Sequence, residues 1–267
     1  MRFNHVILCV PNQSDTIWLE CTSQTHPFGY LSSFTDDRDV LLVKVSGSKL
    51  VHTPKFSKGS NFIHTSATVN LAINGNSIAN INREYKGSFY NIGKAFLESD
   101  SKDQSKMIYE IIDIPHFTVK SFEFVEKNDQ TPSIAETTNI EVDNYATTMG
   151  SSIMFNLNFM NKIKNTPKSR YKRISDIYIQ RPSCEIDSIT YVLPEGYKTS
   201  NLPEKTSISS EFGNYQSEVI LKDEKLVYIR SFDLNKGTYS KEKFKELTDF
   251  FEQIVKCDQK KIILKGS

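Results

Sequence analysis

Thr65-Ser66-Ala67-Thr68-Val69-Asn70-Leu71-Ala72-Ile73, then Asn74-Gly75, then Ser77-Ile78-Ala79-Asn80-Ile81-Asn82-Arg83-Glu84, is the stretch whose reading decides the fold. Side chains on a strand alternate between two faces. Ala67, Val69, Leu71 and Ile73 therefore share one face, and Thr68, Asn70 and Ala72 share the other. One face is dry and one is wet, as in an antiparallel sheet packed on one side. Asn74-Gly75 offers the two φ > 0 positions of a tight hairpin turn, after which Ser77 to Glu84 returns.

The same alternation recurs outward from this hairpin. Asp39 to Ser46 and Lys49 to Thr53 read as a hairpin across Gly47-Ser48. Strands are expected at Phe117 to Glu126, Ile140 to Thr147, Ile153 to Phe159, Asp176 to Gln180 and Glu185 to Leu193. Further strands are expected at Ser207 to Phe212, Tyr215 to Leu221, Lys225 to Asp233 and Lys260 to Leu264, with Asp223-Glu224 as a turn. Three segments read as helices. Phe89 to Glu98 gathers Phe89, Ile92, Phe96 and Leu97, and Lys102 to Ile111 gathers Met107, Ile108 and Ile111 before Pro115 breaks the pattern. The third carries Phe244, Leu247, Phe251, Ile254 and Val255 at helical spacing, with Ser240 as its cap and Tyr239 and Phe244 as a hydrophobic staple. The expected fold class is β-rich α+β: an antiparallel β-sandwich-like unit with packed helices.

The amino-terminal segment carries the residues with chemistry. Phe3-Asn4-His5-Val6-Ile7-Leu8 and Asp15-Thr16-Ile17-Trp18-Leu19-Glu20-Cys21-Thr22-Ser23 read as two apolar strands. With Pro11 to Ser14 as the turn and Val10 opposite Asp15, His5 lies opposite Glu20. Opposed residues have Cβ atoms roughly 4.5–5.5 Å apart. A carboxylate there orients an imidazole, and the imidazole activates a nucleophile, the arrangement of thiol and serine hydrolases. The other reading is a surface cross-strand pair. Cys9 shares the His5 face but lies roughly 13 Å along it, at about 3.3 Å per residue. Cys21 points away from Glu20 and is expected to be buried. For these two, and for Cys184 and Cys257, the expectation is an inert structural thiol.

Asn4 to Ile7, Asp15 to Gln24 and Pro27-Phe28-Gly29-Tyr30 resemble the end of the core domain in bacterial (Bacteroidetes-type) transglutaminase-like proteins. Leu193-Pro194-Glu195-Gly196-Tyr197, Tyr228 to Phe232, Phe250-Phe251 and Ile262-Ile263-Leu264 resemble the carboxy-terminal β domain of unknown function in the same proteins. The resemblance spans nearly the whole chain. It implies a remnant of a papain-like transglutaminase core over residues 1–57, completing a core sheet, and a β-rich domain over 58–267. It puts the catalytic histidine on His5 and the acidic triad member, more often aspartate, on Glu20. The family's nucleophilic cysteine lies upstream of the histidine, at a helix start that lowers its pKa. No residue here matches it. The chain is thus expected to be the carboxy-terminal part of such a protein, inactive alone, with the upstream segment as its structural partner and a protein or peptide substrate reached through the parent. The family implies a periplasmic or envelope location.

Composition narrows the remaining classes. Lys+Arg 33 against Asp+Glu 32 gives a net charge of +1. That balance supplies no field for nucleic acid or anionic membrane. The basic run Lys162 to Arg173 is expected to be a solvated loop. Asp36-Asp37-Arg38-Asp39 reads as a turn rather than a calcium site. His26, His52, His64 and His116 are scattered. No membrane span, phosphate loop or paired metal motif is evident, so no cofactor is expected. Besides the enzyme reading, a binding or structural module of the envelope fits the β domain.

Overall fold

The computed structural model describes residues 4–12, 16–127, 131–169, 173–199 and 201–266. The proposed turn at Pro11 to Ser14 falls partly outside them, as does part of the basic run. Strands β1 (Leu8–Pro11), β2 (Thr16–Leu19), β3 (Asp39–Leu42) and β4 (Lys49–His52) come first. They are followed by β5 (Phe62–Leu71), β6 (Ser77–Lys86), α1 (Tyr90–Glu98), α2 (Ser101–Ile111), β7 (Phe117–Lys127), β8 (Ser133–Val142), β9 (Thr147–Met149) and β10 (Ser152–Asn156). The last third holds β11 (Ile177–Ile179), β12 (Ser183–Val192), β13 (Tyr197–Lys198), β14 (Thr206–Ser210), β15 (Gly213–Lys222), β16 (Lys225–Leu234), β17 (Gly237–Tyr239), α3 (Phe244–Asp258) and β18 (Lys261–Gly266).

An eight-stranded sheet in the order β14-β15-β16-β12-β5-β6-β8-β7 forms the backbone of the β-rich α+β fold. It is antiparallel except at its centre, where β12 runs parallel to β5. That pair joins residues more than a hundred positions apart, so no local turn signal could announce it. One face of the sheet is wet. The other is covered in three places: by α1 and α2 at the β7–β8 end, by the four-stranded sheet β13-β18-β10-β9, and by α3 at the β14–β16 end. Val69, Ile81, Ile140 and Tyr191 of the large sheet meet Ile153, Phe155, Ile262 and Leu264 of the small one in the main core. Phe212, Tyr215 and Phe232 meet Leu247, Phe250 and Ile254 of α3 in a second.

The β5–β6 hairpin matches its reading, with Ala67, Val69 and Leu71 buried, but its turn does not. Leu71 pairs with Ser77, so the loop runs from Ala72 to Asn76, and Ile73 is exposed. Gly75 alone takes positive φ, at +88°, and a Cβ there would strike the Ala146 carbonyl oxygen. The two-residue turn lies instead at Asp223-Glu224, where both residues have positive φ between the paired Lys222 and Lys225. Left-handed backbone costs an L-residue about 1–2 kcal/mol, more than glycine loses in entropy. Glu224→Gly is therefore expected to raise stability by about 0.5–1 kcal/mol, read from the urea midpoint.

Strand β8 begins well before the expected Ile140. Its dry-face series Ile134, Glu136, Thr138, Ile140, Val142 holds two buried polar residues, which hide the alternation. Ile92 of α1 is exposed rather than packed. The Ser240 hydroxyl turns to the Glu242 carboxylate rather than capping backbone N–H groups.

Residues 4–53 form two separate two-stranded sheets, β1-β2 and β3-β4. Isolated hairpins of this kind are marginal in water, and side-chain anchors hold the segment down. Tyr30 is buried between Phe56 and Tyr90 and donates its hydroxyl to the Gly87 carbonyl at 3.0 Å. Asp36 pairs with Arg181, and Asp37 with His52 and Lys236. These contacts consume the acidic turn that sequence offered as a calcium alternative.

Candidate functional site

His5 and Glu20 are in contact: His5 Nε2 lies 2.7 Å from Glu20 Oε2. The register differs from the expected one by two residues. Val10 pairs with Ile17, and the ladder ends at Leu8 and Leu19, so both residues lie beyond the last pair rather than directly opposite. A shift of two keeps every side chain on its face, whereas a shift of one would have separated them. Beyond the end of the ladder the two side chains still meet.

Thr22 completes the arrangement and escaped the sequence reading. Its N–H donates to Glu20 Oε1 at 3.0 Å and its hydroxyl at 2.7 Å. A carboxylate followed two positions later by threonine was the available signal. Burial pushes the Glu20 carboxyl up, but the Thr22 donors and His5 outweigh it and hold the group below the ordinary glutamate range. The Glu20 side chain is 5% exposed and that of His5 is 22% exposed. The imidazole stands edge-on to Phe34, with centroids 5.0 Å apart. Nε2 is thus engaged and ring rotation is restricted, while Nδ1 makes no hydrogen bond among the described residues. An imidazole so held is fit to take a proton at Nδ1.

No thiol among the described residues joins the pair. Cys9 faces Trp18 within the ladder. Cys21 is exposed, not buried as expected, because strand alternation stops at Leu19; its thiol points to the Leu19 carbonyl. Cys184 sits across from Asp233, and burial together with that carboxylate pushes its thiol up to about 12. A disulfide-forming reagent at pH 8 is expected to label Cys21 promptly and Cys184 only on unfolding, as thiol counting with and without denaturant will show.

Three of the other histidines have structural surroundings. His52 bridges Asp37 and Asp39, His64 stacks on Phe62, and His26 lies edge-on to Tyr30 and Tyr90. In the basic run, Lys164 pairs with Asp113 and Arg173 lies over the Phe244 ring. Among the described residues no group of three or more His, Cys, Asp or Glu could hold a metal ion, and no helix is long and apolar enough to cross a membrane.

No curated protein and no solved structure matched the chain. One family model did, described as Domain of Unknown Function with solved-structure structure (DUF3858), over residues 151–264. That span takes in β10 through most of β18, and leaves His5, Glu20 and Thr22 outside it. The carboxy-terminal part of this chain is therefore similar to that domain of unknown function, and the imidazole–carboxylate pair belongs to the segment before it.

Proposed function

We propose that this chain supplies the histidine and its orienting carboxylate to a thiol acyl-transfer or peptidase-like site of the transglutaminase type. The observation that carries this reading is the 2.7 Å bond from His5 Nε2 to a Glu20 carboxylate that Thr22 fixes by two donors. His5 serves as general base through Nδ1, Glu20 sets the tautomer, and the thiol nucleophile comes from a polypeptide segment other than residues 4–266. Exposed apolar side chains on both sides of the pair support a docked segment: Val6, Leu8 and Val10 along the chain after His5, and Phe34 against the imidazole. Exposed apolar clusters of this kind mark interaction surfaces. Residues 62–266 act as scaffold.

The test is reconstitution. The chain is joined, in one polypeptide or as two, to a papain-like transglutaminase core segment that bears the nucleophilic cysteine, and acyl transfer from a glutamine peptide is measured. Activity should appear on assembly and fall at least about 10³-fold in His5→Ala. Full activity in that variant would end the reading. A second reading has one observation in its favour: the family match excludes the pair altogether. In that case the β domain is a binding or structural module of the envelope, and assembly yields no turnover.

A further inference from the structure

One row of the large sheet's buried face is polar across six strands. Ser217, Arg230, Asp187, Thr65, Arg83 and Glu136 are successive register partners, and all are buried. The row beside it carries Tyr228, Ile189, Ala67 and Ile81. Burying charge is costly unless partners neutralise it. The Arg83 half closes: Arg83 reaches both Glu136 oxygens at 3.3 Å, and Tyr85 and Thr138 donate to the same carboxylate.

The Arg230 half does not close. One guanidinium faces three carboxylates, Asp187, Asp258 and Glu185, at 2.8, 3.0 and 3.3 Å. Asp258 is satisfied by Arg230, the Tyr215 hydroxyl and the Ile163 N–H. Asp187 is satisfied by Arg230 and by the Asn161 amide at 2.6 Å. Glu185 receives only the long 3.3 Å bond, and its side chain keeps 34% of its surface exposed. Burial pushes its carboxyl above the ordinary range, Arg230 offsets part of this, and Asp187 and Asp258 add to it.

Glu185 lines a cleft of about 990 Å³, bounded by the end of α2 and the segment Met160 to Asn165. Its walls include Ile63, Ile92, Ile114 and Met160. Asp113 lines it too, with Oδ2 buried and unpartnered while Lys164 takes Oδ1. Lys162 also lines the cleft but makes no hydrogen bond to Glu185; Asp113 and Asp258 act on its amine, and burial holds it below the usual lysine range. The carboxylates fan around Arg230 and give no metal-ligand set among the described residues. The missing charge is thus suited to an organic cation with an apolar body.

We propose that this cleft binds a primary alkylammonium group, with the ammonium on Glu185 beside Asp187 and the carbon chain along Ile63, Ile114 and Met160. The inference is independent of the His5–Glu20 site. Ammonium–carboxylate bonds in partly desolvated surroundings are strong and directional, and the apolar wall adds affinity per methylene. The group has two possible sources, a free amine and a lysine side chain of a protein.

Titration calorimetry of the full chain with hexylammonium chloride, methylammonium chloride and Nα-acetyl-lysine N-methylamide tests it, against sodium chloride at equal ionic strength. Hexylammonium should bind saturably and at least tenfold more tightly than methylammonium. The lysine derivative binding more tightly than hexylammonium identifies a protein lysine as the source, and the reverse order a free amine. Glu185→Gln should weaken binding at least tenfold. Ile92→Lys, at an exposed position of the cleft, should do the same without touching the core. Absence of binding by both hexylammonium and the lysine derivative, or affinity unchanged in both variants, overturns the proposal.

Discussion

Arg230→Met is expected to destabilise the chain by about 3–5 kcal/mol, the cost of removing one partner from a buried ion pair. Methionine fills similar space, so the loss is electrostatic rather than a cavity. Arg230 is fully buried, and without it Asp187 and Asp258 lose the cation they share inside the sheet. Against a typical total of about 5–15 kcal/mol, that leaves a population prone to unfolding at 37 °C. The pH dependence separates charge from packing. Burial already holds the Glu185 carboxyl above the ordinary range, and the variant removes the Arg230 charge that lowers it, so this group favours the folded state when protonated. The deficit relative to wild type should therefore shrink as pH is lowered from about 7 toward about 4.5, and reappear as pH rises. Urea titrations at several pH values read both. A deficit below about 1 kcal/mol at neutral pH, or one indifferent to pH, would mean that the row is not held by this cation.

Glu20→Gln should reverse the His5 tautomer, and with it cost a reconstituted enzyme about 10³–10⁴-fold in rate. The Thr22 N–H can only donate, so it will hold the amide oxygen of the introduced glutamine where Glu20 Oε1 now lies. The amide NH₂ then takes the place of Oε2, 2.7 Å from His5 Nε2, and donates to it. A neutral imidazole has one donor nitrogen and one acceptor. In wild type Nε2–H donates to Glu20 and Nδ1 keeps its lone pair; in the variant the proton moves to Nδ1, which can no longer act as base. Imidazole ¹⁵N shifts of the isolated chain report the tautomer without any nucleophile present. Thr22→Val should loosen the carboxylate and allow both tautomers. An unchanged tautomer in Glu20→Gln would remove the orienting role assigned to Glu20.

The legible part of this protein was what alternation alone encodes. Ala67, Val69 and Leu71 in phase, and Leu247 and Ile254 at helical spacing, fixed element types because burial of one face is a local pattern. Where a dry-face position held a polar residue the pattern broke, as at Glu136 and Thr138 in β8. Those breaks carried information: Arg83 lies in phase with Ala79 and Ile81, and Arg230 with Leu226 and Tyr228. A charge on the dry phase of a strand announces a buried partner, yet nothing local says which one. The pair His5 and Glu20 was legible for a related reason. Its members lie 15 residues apart, on segments that flank two paired strands close in sequence, and a register error of two preserved their sidedness.

By itself the sequence determined strands, helices, the wet and dry faces, and the imidazole–carboxylate pair, because each depends on residues within a few positions or across one short turn. Only tertiary structure decided the parallel contact of β12 with β5, the polar row across six strands, and the cleft above Glu185. Those depend on which distant strands become neighbours, and that choice comes from burying all the dry faces together, which no single segment can specify.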